Sequence, residues 1–268
     1  MDFLGRNDAP FTEEFWSRID DQMVNSVRNV IVGRHFLPLQ GPLGTGAFLT
    51  TIDHPERNES FEEGFVKTTG RNLYEIPQIY QDFWLYWRDL AEFGEKGMDL
   101  SEVWMAGQRM AQLEDQMIFY GNSDLKIDGL CTVKGSNKLK LSDWSEGENP
   151  FRDIMAGLTL LEQKNRVGRC ALVVSSDLYF VLNRIQKDTG KLESERISSL
   201  LGKRLYRSNI LKEKTAVLLV AEPAYMDLLV GIDMSVSYLE KVDLNHHLRI
   251  VETVIPRIKA ADAVVIYQ

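Results

Sequence analysis

Apolar positions along the chain switch between a helical and a strand-like period, and the switches divide it into elements. Over residues 12–32, Phe15, Ile19, Met23, Val27, Val30 and Ile31 recur at helical spacing, while Arg18, Asp21, Asn25 and Arg28 lie off that stripe. Thr12 is placed to cap this helix, Glu13 and Glu14 suit its positive start, and Gly33 ends it. Residues 99–120 predict a second helix on Val103, Gly107, Met110, Leu113, Met117 and Ile118, with Asp99 and Glu102 as a capping box. Asn149 and Pro150 open a third over 151–164, its Phe151, Ile154, Leu158 and Leu161 facing inward. Residues 170–175 read as a buried strand, followed by a helix over 178–185. A polar loop, 186–192, then leads to a helix at about 193–202. The last quarter is mainly strand, at 215–220, 226–232, 236–239, 248–254 and 263–267, with Pro256 suited to a strand end or bulge.

Two stretches depart from these patterns. Read as a strand, residues 79–90 carry Tyr80, Trp84 and Tyr86 on one face and Ile79, Phe83, Leu85 and Trp87 on the other. A half-buried strand has one polar face. Bulky side chains on both faces therefore predict two covers, the chain's own core and a second subunit, where Trp and Tyr are favoured anchors. Phe83, Trp84, Tyr86 and Trp87 become candidate intersubunit residues. Residues 53–75 are mostly polar, with charges at Glu56, Arg57, Glu59, Glu62, Glu63, Lys67 and Arg71. Structureless loops of this length are uncommon in compact domains, so a hairpin arm reaching onto a neighbour is expected. The glycines of residues 41–46 lack the spacing of a phosphate-binding loop and predict a bend.

The elements mix α and β without regular βαβ alternation, which gives an α+β class. At 268 residues, 44% hydrophobic and 26% charged, the chain suits one large domain or two interleaved lobes. Its net charge of −8 argues against non-specific nucleic-acid binding and against an anionic membrane surface. Cys131 and Cys170 are too few for a disulfide framework or a Cys-rich metal site and suit a reducing compartment. The opening Met-Asp-Phe-Leu-Gly-Arg lacks the basic start of a signal peptide, and no apolar run approaches the roughly 20 residues of a membrane span. A soluble cytoplasmic protein is expected.

Candidate chemistry is sparse. Glu114 and Asp115 are adjacent on a helix, so they diverge by about 100° and form no paired-carboxylate site; a salt bridge or a cap on nearby backbone suits them better. His246 and His247 are adjacent on a strand and point to opposite faces, and His35 and His54 are isolated, so no metal site is predicted. Ser175, Ser176 and Asp177 lack the glycines of a nucleophile elbow, and one of the serines reads as a helix cap. No nucleophile, base and orienting group converge, so no catalytic residue is nominated and no enzyme is expected. Trp87 is the one cofactor candidate, as an aromatic plane for a flavin ring, with an interface anchor as the alternative.

Several motifs resemble the type 1 encapsulin shell proteins. They are Phe-Trp-Leu-Tyr-Trp-Arg-Asp-Leu (83–90), Glu-Asp-Gln-Met-Ile-Phe-Tyr-Gly (114–121), Ile-Asp-Gly-Leu (127–130) and Val-Gly-Arg-His-Phe (32–36) with Gly-Pro-Leu-Gly (41–44). Asp2-Phe-Leu-Gly with Ala9-Pro10, and Asn-His-His-Leu-Arg-Ile-Val-Glu-Thr-Val (245–254), extend the similarity over essentially the whole chain. The resemblance implies an HK97-like tailed-phage capsid fold: an N-terminal arm and helix (1–49), an E-loop (50–78), a P domain (79–128 and 226–268) and an A domain (129–225). It also implies many copies closing into an icosahedral shell in the cytoplasm. That shell would enclose a ferritin-like iron oxidase or a dye-decolourising peroxidase, recruited by a C-terminal targeting peptide. Docking of that peptide is expected at Val27, Val30, Ile31, Leu37, Leu229, Ile232 and Met234, and a five-fold pore loop at Lys187, Asp188, Thr189, Gly190 and Lys191. No cofactor is required. Some members stack a flavin such as FMN where Trp87 stands, yet the preceding Pro77-Gln78-Ile79-Tyr80 lacks the basic residue that accompanies it. A prophage-type major capsid protein packaging DNA shares the implied fold and is the alternative; the acidic balance favours the encapsulin.

Overall fold

The first long helix forms where its apolar stripe and cap place it. In the computed structural model, which describes residues 2–185 and 190–268, α1 spans Glu13–Arg28, and Thr12 Oγ1 accepts the Phe15 N–H at 3.2 Å. Gly33 begins a short α2 (Gly33–Phe36) rather than ending α1. Strand β1 (Leu39–Gln40) leads into the long strands β2 (Leu49–Glu62) and β3 (Phe65–Glu75), which pair only with each other. Then come β4 (Gln78–Leu85), α3 (Trp87–Gly97, broken at Gly94) and α4 (Ser101–Tyr120). A small pair, β5 (Gly121–Asn122) and β6 (Ile127–Asp128), precedes β7 (Asn137–Leu139), α5 (Asn149–Gln163), β8 (Cys170–Ser175), α6 (Ser176–Leu182) and α7 (Glu193–Leu200). The chain finishes through β9 (Leu205–Ser208), β10 (Ala216–Val220), β11 (Met226–Val230), β12 (Ser235–Val242), β13 (Asn245–Ile258) and β14 (Val264–Tyr267).

Two sheets organise the molecule. In the first, β11 and β12 run end to end along one side of β13, β4 pairs antiparallel on its other side, and β1 lies outside β11. Phe15, Ile19 and Met23 of α1 and Val103 and Met110 of α4 pack with Phe83, Leu85, Leu248 and Ile250 of this sheet. The second sheet has the order β7-β14-β10-β8-β9, and its central strands β14, β10 and β8 are buried as a near-continuous apolar layer. Pro256 lies within β13, opposite Leu228. The Thr253 N–H bonds Ile232 O on the β11–β12 side and the Val254 N–H bonds Pro77 O on the other, so by alternation position 256 faces beyond the end of β4, where no donor is needed.

Three expectations shift. Asp99 forms no capping box: Leu100 is the N-cap of α4, and Asp99 accepts the Ser101 N–H instead. Leu113 is 40% exposed, because Glu114 and Asp115 turn inward in its place. The final strand β14 pairs with β7 and β10, so residues 264–267 sit in the second sheet and not in the 226–268 segment's own sheet.

Candidate functional site

The arm is the largest unsupported feature. Beyond the Asp53–Arg71 register pair it is a two-stranded ribbon, and such ribbons are marginal alone in water. Phe61, Phe65 and Val66 near its tip are 76%, 78% and 56% exposed. Charges stiffen its base: Asp53 receives Arg71 Nε at 2.6 Å and Arg57 Nη1 at 2.9 Å. The Arg71 hydrogen bond, reinforced by Arg57, holds the Asp53 carboxyl down at about 2.

The aromatic segment is not one strand with two apolar faces. It is strand to Leu85 and helix from Trp87. Phe83, 3% exposed, points with Leu85 into the chain's own core, so Phe83 is no interface anchor. The other face is amphipathic because Asp82 interrupts it. Arg249 of β13 donates to both Asp82 oxygens, at 2.6 and 3.0 Å, and lies 3.9 Å over the Tyr80 ring. His247 stacks on Trp84 with ring centres 4.2 Å apart and Nε2 3.3 Å from Asp82. Tyr80, Tyr86 and Trp87 remain 51%, 46% and 40% exposed. Arg249 is absent from the sequence-predicted site residues, and His247 enters there only as a rejected metal ligand; their two-residue spacing on a strand is the signal that puts them on one face. His246, on the opposite face, is buried against Phe11 and Tyr238.

Trp87 opens α3, its N–H donates to Asn245 Oδ1 at 3.2 Å, and the Arg88 guanidinium lies 5.8 Å from its ring centre. A flavin ring needs an open aromatic face with its phosphate held nearby. Here the Arg88 guanidinium stands over one face of the indole, and Trp87 keeps 40% of its surface exposed.

Of the docking candidates, Val27, Ile31, Leu37 and Leu229 are 8%, 5%, 6% and 2% exposed and belong to the chain's core. They are corrected to packing residues. Val30, Ile232 and Met234 are half-buried and keep surface to offer. Of the pore-loop candidates, Lys187, Asp188 and Thr189 lie outside the described residues; Gly190 and Lys191 are exposed.

A buried ionic cluster ties these surfaces together. Asp115 accepts the backbone N–H groups of Val32 and Gly33 at 2.9 and 2.8 Å, capping α2 from α4. Gly33 leaves room for this approach, since a Cβ there would stand 2.2 Å from Ile118 Cδ1. Arg34 then reaches Glu114 of α4 at 2.8 Å, Asp233 of the β11–β12 bulge at 2.8 Å, and Glu252 of β13. Both roles foreseen for Glu114 and Asp115, ion pair and backbone cap, are present. Burial raises the Glu114 and Glu252 carboxyls and pushes Asp115 up to about 7. Burial alone would lower Arg34, but its three carboxylates outweigh that and raise it.

Nucleophilic chemistry gains nothing from the thiols. Burial pushes Cys131 up to about 12 and raises Cys170, which keeps both protonated at neutral pH. Ser175 occupies the N-cap position of α6 without capping it; its hydroxyl accepts the Thr215 N–H. Among the described residues, no helix is long and apolar enough to cross a membrane.

Residues 1–255 match the Linocin_M18 family, described as an encapsulating protein for peroxidase. The chain is 35% identical to the type 1 encapsulin shell protein EncA of Myxococcus xanthus, over 98% of this chain and 95% of that protein. The structure of a virus-like particle from Pyrococcus furiosus superposes with a TM-score of 0.78 at 21% identity, covering 95% of this chain and 100% of that one. The capsid of Myoviridae phage XM1 superposes with a TM-score of 0.66 at 12% identity, covering 87% of this chain and 90% of that one.

Proposed function

This chain belongs to the Linocin_M18 family of encapsulin shell proteins, and from that premise we propose that its icosahedral compartment encloses a cargo enzyme docked on the inner wall. The fold is the HK97-like capsid fold, and the chain is a self-assembling shell protein. The observation that carries assembly is the arm, whose apolar tip at Phe61, Phe65 and Val66 stays more than half exposed among the described residues. The chain contributes enclosure rather than catalysis, in the cytoplasm and without nucleic acid. A DNA-packaging capsid shares the fold, but the 35% identity lies with a shell protein and the 12% with a phage capsid.

Cargo of the ferritin-like or dye-decolourising peroxidase class docks through its C-terminal peptide at Val30, Ile232 and Met234. Val30 and Met234 pack on the same α1–α4 core, and Arg34 ties the bulge that holds Ile232 and Met234 to α2. Val30→Asp or Met234→Asp places a charge where an apolar side chain is to be received. Co-purifying cargo should fall by about tenfold, a loss of roughly 1.4 kcal/mol in docking, while particles still form. Unchanged cargo in both variants, measured by mass spectrometry of purified particles, would remove these residues from docking.

No cofactor is required, and Trp87 serves as an intersubunit anchor with Trp84 and Tyr86. Trp87→Ala should lower particle yield severalfold while helicity by circular dichroism stays put. Loss of FMN absorbance bands with full particle yield would instead make Trp87 a flavin platform.

A further inference from the structure

We infer that the cleft between the C-terminal end of α1 and β9 binds an acidic peptide segment. It has a volume of about 300 Å³, and none of its nine lining residues is acidic. Arg28 and Arg207 line it together with His35, Asn29 and Asn209, and the backbone turn at Val30, Ile31 and Val32 lines it beside them. A second cleft, lined by Arg169 and Arg204, also lacks acidic residues, but there Glu222 engages Arg169. Nine arginines elsewhere are engaged by carboxylates: Arg6, Arg34, Arg57, Arg71, Arg166, Arg169, Arg196, Arg249 and Arg257. Among the described residues, Arg28 and Arg207 have no such partner; Arg18, Arg88, Arg109, Arg152, Arg184 and Arg204 also lack one, but only Arg28 and Arg207 line this cleft together.

The cleft is held in shape. Arg207 lies over the Tyr179 and Phe180 rings, at 5.6 and 5.7 Å, which positions its guanidinium without neutralising it. Tyr206 stacks on His35 and donates its hydroxyl to the His35 carbonyl at 3.2 Å, and Asp115 pins the Val32 N–H. A preformed site loses less ordering entropy when it binds. Two forked guanidiniums suit carboxylates, and two asparagines supply donors and acceptors for a peptide backbone. The aliphatic turn gives a neighbouring apolar side chain a surface. Nucleic acid suits the site less well, because it calls for a longer basic track and stacking planes along it.

The cleft shares Val30 with the proposed cargo-docking surface but differs from it in the arginines, so the Val30→Asp cargo test and the Arg28→Gln and Arg207→Gln peptide test can fail separately. The test uses the full-length protein and a six-residue peptide of Glu and Leu with a neutral fluorophore, added both before and after particles assemble. Anisotropy should report binding in at least one order of addition. It should weaken as salt rises and fall by about tenfold or more for the matched Gln and Leu peptide. Arg28→Gln and Arg207→Gln should each weaken it by a similar factor, with particles still visible by electron microscopy. Equal binding of the two peptides, indifference to salt, or binding of a short oligothymidylate in preference to the acidic peptide would overturn the proposal. The peptide pair and the salt series on the unaltered protein decide the matter even where a variant fails to fold.

Discussion

Replacing residues 54–70 by a two-residue turn should leave a folded chain that no longer closes into particles. The cut falls just beyond the Asp53–Arg71 pair, so Ile52, Tyr74 and Ile76, which pack at the base of the arm, are kept. Phe61, Phe65 and Val66, exposed by more than half, contribute nothing to the core of their own chain. Their removal should change subunit stability within about 0.5 kcal/mol, as surface changes generally do. A sheet ribbon with three exposed apolar side chains at its end is stable only when another surface covers it. Denaturant unfolding and electron microscopy on the same sample separate the two effects. Intact particles from the shortened chain would show that the arm is a surface loop.

Arg34→Ala should be the most destabilising single change outside the apolar core. It strips Glu114 and Glu252, both fully buried, of their common cation and releases Asp233 of the bulge. Breaking a buried ion pair from one side costs about 3–5 kcal/mol, because the remaining charge stays in a dry site. Arg34→Met combined with Glu114→Gln and Glu252→Gln should recover much of that loss, since neutral partners are no longer stranded. Unfolding midpoints in urea would measure both, and a midpoint for Arg34→Ala equal to that of the natural chain would show that the cluster is not a structural clasp.

The same cluster sets a pH dependence. Glu114, Asp115 and Glu252 all have carboxyls raised by burial, with Asp115 at about 7. A carboxyl raised by folding binds its proton more tightly in the folded chain than in the unfolded one. Its stabilisation is therefore greatest below the ordinary carboxylate range and is lost as pH climbs toward the folded value. His246 works the other way: burial holds its ring below the usual imidazole range, so acid weakens the fold through it. Three raised carboxyls outweigh one lowered imidazole. The subunit should unfold at higher urea at pH 5 than at pH 8, by up to a few kcal/mol. Each tenfold gain in proton affinity on folding is worth roughly 1.4 kcal/mol.

Helices and strands were readable where one period held over several turns. Phe15, Ile19, Met23 and Val27 define α1 so firmly that its cap at Thr12 falls where the pattern places it. The pattern misled where a tertiary partner replaced water. Leu113 lies on the helical stripe but is exposed, because Glu114 and Asp115 have partners inside, on Arg34 and on the α2 backbone. Adjacent carboxylates announce that they need partners, and nothing local says the partner is an arginine 80 residues away. Strand alternation over residues 79–90 carries through Trp87, yet Tyr86 is the N-cap of a helix that begins at Trp87. The outward face of β4 looked wholly aromatic until Asp82 found Arg249 across the sheet. Of the docking candidates, apolar identity alone cannot separate a core residue from a surface one; burial separates Val30, Ile232 and Met234 from Val27, Ile31, Leu37 and Leu229.

The central claim is that this chain is a self-assembling shell whose arm meets a neighbour. Native mass measurement of the purified full-length protein, paired with electron microscopy, tests it most directly. The account predicts closed, uniform particles of many identical copies; a monomer or a small dimer as the dominant species would contradict it.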